Sequence, residues 1–296
     1  MTALLATRLP HRGLLRISGA EALAFLDRLV TIEASHIADG AAGFAALLSP
    51  QGKILADFFL FRLGEEVILD CPRAALPDLL KRLTMYRLRA AITLTDISGD
   101  AEVMALWSDD GSAPDVRPAD ALAVAADPRL AALGLRAIVP TASPLPGDAV
   151  PATPEDWAAH RVVFGVPESG VDFALGDAFP HDADMDDLNG VDFTKGCFVG
   201  QEVVSRMKHR GTARRRVIRV SAAEPLPSTG TPVLAGERAA GTLGTVSGAE
   251  GLALVRLDRV KAALDAGEPV TADGVALTPD LPGFARFVWP EDSTGA

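Results

Sequence analysis

Apolar and polar positions in the first hundred residues switch between two periods. Leu14 to Ser18 alternates as a half-buried strand does, and from Gly19 to Val30 the apolar residues Ala22, Leu23, Phe25, Leu26, Leu29 and Val30 form one helical stripe. Phe44 to Leu48 predicts a second strand, the turn Ser49-Pro50-Gln51-Gly52 leads into a third over Lys53 to Leu63, and Glu66 to Asp70 predicts a short one. Pro72 is placed to open a helix reaching Leu83, because proline suits a first helical turn, and Ala91 to Ile97 closes the region as a strand. Helices returning over a mostly antiparallel sheet predict an α+β architecture rather than a doubly wound sheet.

The pattern then loosens. Asp109 to Asp120 is polar with Pro114 and Pro118, and Pro140 to Pro154 carries five prolines, so both read as connectors. Pro154-Glu155-Asp156-Trp157 starts a helix that ends near Phe164. From Val217 onward short β-rich runs at Val217 to Val220, Leu243 to Ser247, Leu252 to Leu257 and Val270 to Thr278 are separated by glycines, which predicts a small barrel or sandwich. The working division is 1–215 and 216–296, with residues 98–154 as the place where the first region splits if it holds two subdomains.

Composition removes several options. At 48% hydrophobic and 23% charged residues the 296-residue chain is an ordinary globular protein, and no apolar run approaches the ~20 residues that span a bilayer. Met1 to Gly19 scatters Arg8, His11, Arg12 and Arg16 and lacks a secretory apolar block. With cysteines only at Cys71 and Cys197, a disulfide framework is not expected, a reducing cytoplasm is, and no metal site built from the chain alone is predicted. A net charge of -11 argues against strong binding to duplex nucleic acid. One local exception stands out: seven of the 28 Lys and Arg lie between Ser205 and Ser221, as Arg206, Lys208, Arg210, Arg214, Arg215, Arg216 and Arg219, with no acid among them. Such a run is either a solvated face or an anion-binding wall.

That run follows Lys195-Gly196-Cys197-Phe198-Val199-Gly200-Gln201-Glu202, which sets a thiol between two glycines. Gly200 to Lys208 lacks proline and internal glycine and predicts a short helix with Gln201 and Glu202 in its first turn. Cys197 then lies just before a helix N-terminus, where the dipole and the Lys195 ammonium favour thiolate. The plain alternative is a half-buried cysteine acting as a small hydrophobe.

With these residues in view, the chain resembles the YgfZ family of folate-binding proteins, relatives of the T-protein (aminomethyltransferase) of the glycine cleavage system. The resemblance is carried by Ile17-Ser18-Gly19-Ala20-Glu21-Ala22 with Phe25, Leu26 and Leu29 to Thr31, by Leu47 to Phe58, and by Arg161 to Glu168. It continues through Asn189-Gly190-Val191 and Phe193 to Glu202, then Arg206, His209 and Gly211. It implies an aminomethyltransferase-like region that binds tetrahydrofolate, or a one-carbon derivative, in a central cavity, followed by a small C-terminal β-barrel. It further implies that Cys197 is a reactive thiol or transient ligand supported by Lys195, that Asp57 faces the cavity, and that Arg89, close to Tyr86, meets the glutamyl tail. Gly196 and Gly200 would shape the loop, Gln201 and Glu202 anchor or cap it, and Arg206 hold an anion. Where the T-protein has a pterin-gripping glutamate this chain has Val163, so Glu168, Asp182 and Asp184 are the candidate replacements. The implied function is a folate-binding accessory factor for iron-sulfur cluster assembly or repair, with iron-sulfur client proteins or assembly factors as partners. The alternative is a folate-dependent one-carbon transferase acting on a small amine or in tRNA modification.

Overall fold

The structure is a computed structural model that describes residues 3–112, 114–210 and 213–290. Gly211, one of the residues carrying the resemblance, lies outside them. The chain forms two compact units, Met1–Trp157 with Leu188–Val203, and Ala158–Asp187 with Val204–Ala296.

The first unit contains β1 (Leu4–Arg8), β2 (Arg12–Ser18), α1 (Ala22–Asp27), β3 (Ala42–Leu48), β4 (Ile54–Leu63), β5 (Glu66–Pro72), α2 (Leu76–Arg87) and β6 (Thr93–Asp96). It continues with β7 (Ala101–Ser108), β8 (Ala123–Ala126), β9 (Leu135–Pro140) and β10 (Val150–Pro151). The strands make two five-stranded sheets, ordered β3-β4-β5-β2-β6 and β10-β1-β7-β9-β8. Strand alternation sorts the side chains. Leu15, Ile17, Phe58, Leu60, Val67, Leu69 and Cys71 pack with Phe25 and Leu26 of α1 and Leu79 and Leu83 of α2. The intervening positions Arg12, Asp57, Phe59 and Asp70 share the opposite face of that sheet.

Several boundaries differ from those read in the sequence. Pro72 ends β5 opposite Arg12 instead of opening a helix, and α2 begins after a 3-10 turn at Arg73–Ala75 with a proline in its own first turn. Helix α1 is shorter than its apolar stripe, because Leu29 to Thr31 leaves the helix and Val30 bridges to Leu47. Beyond the connectors at 109–120 and 140–154 no element is read between Ser98 and Pro154; the structure has β7, β8 and β9 outside those connectors save for Pro140, and the two-residue β10 inside the second. Strand β8, Ala123–Ala126, carries little β signal.

The second unit takes in most of α3 (Pro154–Phe164) and of α4 (Gln201–Arg210), and the strands β11 (Arg215–Ser221), β12 (Pro232–Ala235), β13 (Arg238–Ser247), β14 (Glu250–Arg256), β15 (Val270–Ala272) and β16 (Val275–Asp280). These strands close into a six-stranded barrel ordered β11-β14-β13-β12-β15-β16, which decides between barrel and sandwich. The sequence reading missed α5 (Leu257–Asp265), whose Leu257, Val260 and Ala263 pack into the barrel core. The 215/216 division falls at the first residues of β11.

Candidate functional site

The loop that carries Cys197 is held by its own neighbours in the first unit. Thr31 Oγ1 donates to the Gly190 carbonyl at 2.6 Å, and the Asp192 amide donates to the Thr31 carbonyl at 2.9 Å. Asp192 Oδ1 then accepts from the Thr194 amide, the Thr194 hydroxyl and the Lys195 amide at 2.8, 2.6 and 3.2 Å. Partial burial works against the Asp192 carboxylate, yet these donors keep its pKa below the usual range.

Lys195 fixes the next step. Its side chain is 1% exposed, and its ammonium donates to the carbonyls of Asp27, Val30 and Ile32 at 2.7, 2.8 and 2.8 Å. An ammonium has three protons, so all are used. The Asp27 carbonyl is one of those a helix C-terminus leaves unmade, which is why a lysine suits the exit of α1. Burial lowers the Lys195 pKa, and Glu33 at 4.0 Å opposes that shift. Lys195 is therefore the pin that fastens the loop to the turn between α1 and β3.

Beyond this pin Gly196 and Cys197 are exposed, while Phe198 is buried with its ring 5.3 Å from the Lys195 ammonium. Gln201 Oε1 accepts from the Phe198 amide at 3.4 Å and so closes the loop onto α4. Gly200 has φ +82°, and a Cβ there would stand 2.5 Å from the Ser49 carbonyl oxygen, so only glycine fits against the Ser49–Gly52 turn. At Gly196 neither constraint operates, since a Cβ would meet nothing within 4 Å. The result is an exposed thiol on a loop fastened at both ends. Cys71 is its opposite, fully buried on β5, where burial pushes the thiol pKa up to about 12.

The other candidate residues are dispersed. Asp57 is buried on β4, Arg89 is exposed just after α2, and Glu202 and Arg206 are exposed on α4. In the second unit Glu168 faces Arg161 at 3.3 Å, and Asp182 accepts from Arg215 at 2.7 Å and from the Phe179 amide at 2.9 Å. Asp184 is 0% exposed with a left-handed backbone at φ +55°. One of its oxygens lies 3.5 Å from Arg216, and Oδ2 has no hydrogen-bond partner. Burial raises its pKa well above the ordinary carboxylate value despite Arg216. Among the three acids proposed to replace the T-protein glutamate, Asp184 is the one with a fully buried carboxylate oxygen that lacks a hydrogen bond. Val163 itself is 57% exposed on α3. Of the basic run, Arg215 and Arg216 are tied to Asp177, Asp182 and Asp186, so only part of it is a solvated cationic face.

A buried charge cluster in the first unit went unread in the sequence. Asp70 accepts from Arg12 at 2.6 Å and from Arg136 at 2.7 and 3.1 Å, while Asp127 accepts from Arg129 at 2.8 and 3.0 Å. The guanidiniums of Arg136, Arg129 and Arg12 lie 4.0, 4.8 and 5.6 Å from the centre of the Phe59 ring. An aspartate interrupting the apolar run Val67-Ile68-Leu69-Asp70-Cys71 was the available signal.

Comparison with known proteins defines the class first. Residues 9–108 match the GCVT N-terminal domain, and residues 214–287 match the CAF17 C-terminal beta-barrel domain. The crystal structure of glycine cleavage system aminomethyltransferase T from Bartonella henselae has the same fold, with a TM-score of 0.74 over 96% of this chain and 86% of that one at 16% identity. The molecule is thus an aminomethyltransferase-like α+β protein ending in a CAF17-type barrel.

Closer relatives give the family. The human mitochondrial iron-sulfur cluster assembly factor IBA57 is 32% identical over 311 residues, covering 96% of this chain and 85% of its own length, and the mouse protein is 31% identical with the same coverage. The Mycosarcoma maydis homologue is 31% identical over 229 residues, and there the chain spans 56% of the relative's length. The chain belongs to the IBA57 family. These relatives carry that name rather than YgfZ. They also correct the expected cytoplasmic setting, because all three are named as mitochondrial. Among the described residues no helix is long and apolar enough to cross a membrane.

Proposed function

We propose that this chain is an iron-sulfur cluster assembly factor in which Cys197 is the working thiol and folate is the bound cofactor, as in the YgfZ-like reading of its sequence. The observation that carries the proposal is the contrast between an exposed Cys197 on a pinned loop and a buried Cys71. An iron-sulfur cluster held by cysteine takes four thiolates, and this chain offers one accessible thiol, so a cluster bound here is shared with a client or assembly partner. The thiol gives its proton to solvent as its sulfur bonds iron, and the cluster is cargo. Lys195 and Gly200 hold that sulfur outward and lower the ordering cost of engaging it.

Folate fits this chain at one identifiable atom. The orphaned Asp184 Oδ2 is a buried acceptor with no donor, and the amino-pyrimidine edge of a pterin supplies donors. When bound, tetrahydrofolate supplies one-carbon chemistry. Asp184 would bind and orient the pterin. The relatives' names make a mitochondrial-type assembly pathway the setting to test.

Cys197→Ala is expected to keep folate affinity, measured by calorimetry, and to lose rescue of iron-sulfur enzyme activity in cells lacking the native gene. Full rescue would remove the thiol from the account. Asp184→Ala is expected to weaken folate binding about tenfold, the cost of roughly one hydrogen bond. Unchanged affinity would place the pterin elsewhere.

A further inference from the structure

Helix α2 ends in a turn that its sequence does not suit. The Ala90 amide donates to the Arg87 carbonyl at 2.8 Å, and Leu88, at the second position of that turn, has φ +48° and ψ -103°. That combination is close to the first central residue of a type II′ turn, a place glycine normally takes. Here a leucine takes it, and its side chain is 85% exposed, so no packing compensates the strain. Three residues back, on the last turn of α2, Met85 is 59% exposed.

These two apolar side chains border a cleft of about 530 Å³ whose floor includes Phe25 and Tyr86. Arg28, Arg87 and Arg89 line the same cleft, are all exposed, and make no ion pair or side-chain hydrogen bond among the described residues. The lining acid, Glu21, is already accepting from the Ala91 amide at 2.6 Å. In a chain of net charge -11, three unpaired arginines around one apolar cleft are a local reversal of sign. Arginine, methionine and aromatic side chains are the residues enriched in protein interfaces, and here they surround an exposed leucine that nothing among the described residues covers.

We infer that this cleft docks an acidic segment of a partner protein, one that carries an apolar side chain to cover Leu88 and Met85 and carboxylates to pair with Arg28, Arg87 and Arg89. A purely anionic ligand such as a glutamyl tail would use the arginines and leave the leucine exposed. The position matters for what docks there. Arg28 and Leu29 belong to the turn whose Asp27, Val30 and Ile32 carbonyls hold Lys195, so the cleft and the Cys197 loop are built on one segment of backbone. A partner seated in the cleft lies beside the loop that presents the thiol. The docking inference stands without the role given to Cys197, since it concerns binding alone.

Fluorescence anisotropy of the full chain with a labelled synthetic peptide of alternating glutamate and leucine pairs tests it. Binding that weakens with salt is expected, and replacing the peptide's leucines by glutamate, or its glutamates by glutamine, should each cost about tenfold, as loss of a hot-spot contact does. Leu88→Gly should weaken the peptide about fivefold or more while leaving the melting temperature unchanged or higher, because glycine relieves the turn. The double change Arg28→Glu with Arg87→Glu, both at exposed sites, should abolish binding. The inference is overturned by no binding of the glutamate-leucine peptide, by equal binding of an all-glutamate peptide or preference for pentaglutamyl folate, or by Leu88→Gly binding as the parent does. Self-association through this face, seen as concentration-dependent sedimentation that Leu88→Gly removes, would equally replace the acidic partner with a second copy.

Discussion

Asp70 and Asp184 are the same residue type, both 0% exposed and both beside arginine, yet their surroundings treat the carboxylate in opposite ways. Around Asp70 two guanidiniums fill both oxygens at 2.6 to 3.1 Å, and no buried polar side-chain atom of Arg12, Asp70, Asp127, Arg129 or Arg136 lacks a hydrogen bond. Around Asp184 the nearest guanidinium nitrogen stands at 3.5 Å and is better engaged by Asp186 at 2.6 Å, leaving Oδ2 and Arg216 Nε unsatisfied. A closed buried network stiffens a core; an open one holds a polar group in reserve at the expense of stability. The first pattern marks structure in this protein, and the second marks a place to look for a ligand.

The largest effect should come from opening the closed network. Asp70→Asn leaves Arg12 and Arg136 as like charges against the Phe59 ring, and the loss of unfolding free energy in urea is expected at about 3 to 5 kcal/mol, as for other broken buried pairs. A loss under ~1 kcal/mol would mean that water or neighbouring groups replace the carboxylate, and the contrast with Asp184 would fail.

Lys195 tests the same rule with a cation. Its three carbonyl partners make it a closed site, so Lys195→Met should cost about 2 to 3 kcal/mol, less than three separate charged hydrogen bonds because the carbonyls regain water when the loop lifts. Hydrogen exchange at Gly196 to Gly200 should speed up in the same variant. Unchanged exchange there would show that Thr31 and Asp192 hold the loop without it.

How much of this was legible beforehand follows from the physics of each signal. The α+β order and the β3-β4 hairpin were read from local periodicity and turn residues, which depend on residues close in sequence; glycine punctuation of the C-terminal strands left barrel and sandwich open, and the barrel came with the family resemblance. Cys197, Lys195 and Gly200 were singled out because a thiol between glycines and charge departs from any core pattern. The partners of Lys195 were not, since they are backbone carbonyls 163 to 168 positions away and carry no residue signature. The second sheet escaped because strands such as Ala123–Ala126 are made of alanine and valine between proline-rich connectors. Asp70 with Arg136 joins strands 66 positions apart, a pairing that only the register of two sheets supplies.

The smallest expected effect is the most discriminating, because its sign is the reverse of the first. Asp184 keeps its proton in the folded protein well above the ordinary value of 3.8, so between those two points the folded state binds more protons than the unfolded one. Stability from this site is therefore complete below 3.8 and falls as pH rises through the folded-state value. Asp184→Asn cannot ionise. At neutral pH it should be more stable than the parent, and the difference should vanish below 3.8, as read from urea midpoints across a pH series. Subtracting the two profiles removes every other titrating group that the substitution leaves alone. A variant less stable than its parent at neutral pH would show that the 3.5 Å contact with Arg216 outweighs burial. Asp184 would then be a second structural aspartate of the Asp70 kind, and the reason for assigning it a ligand would be gone.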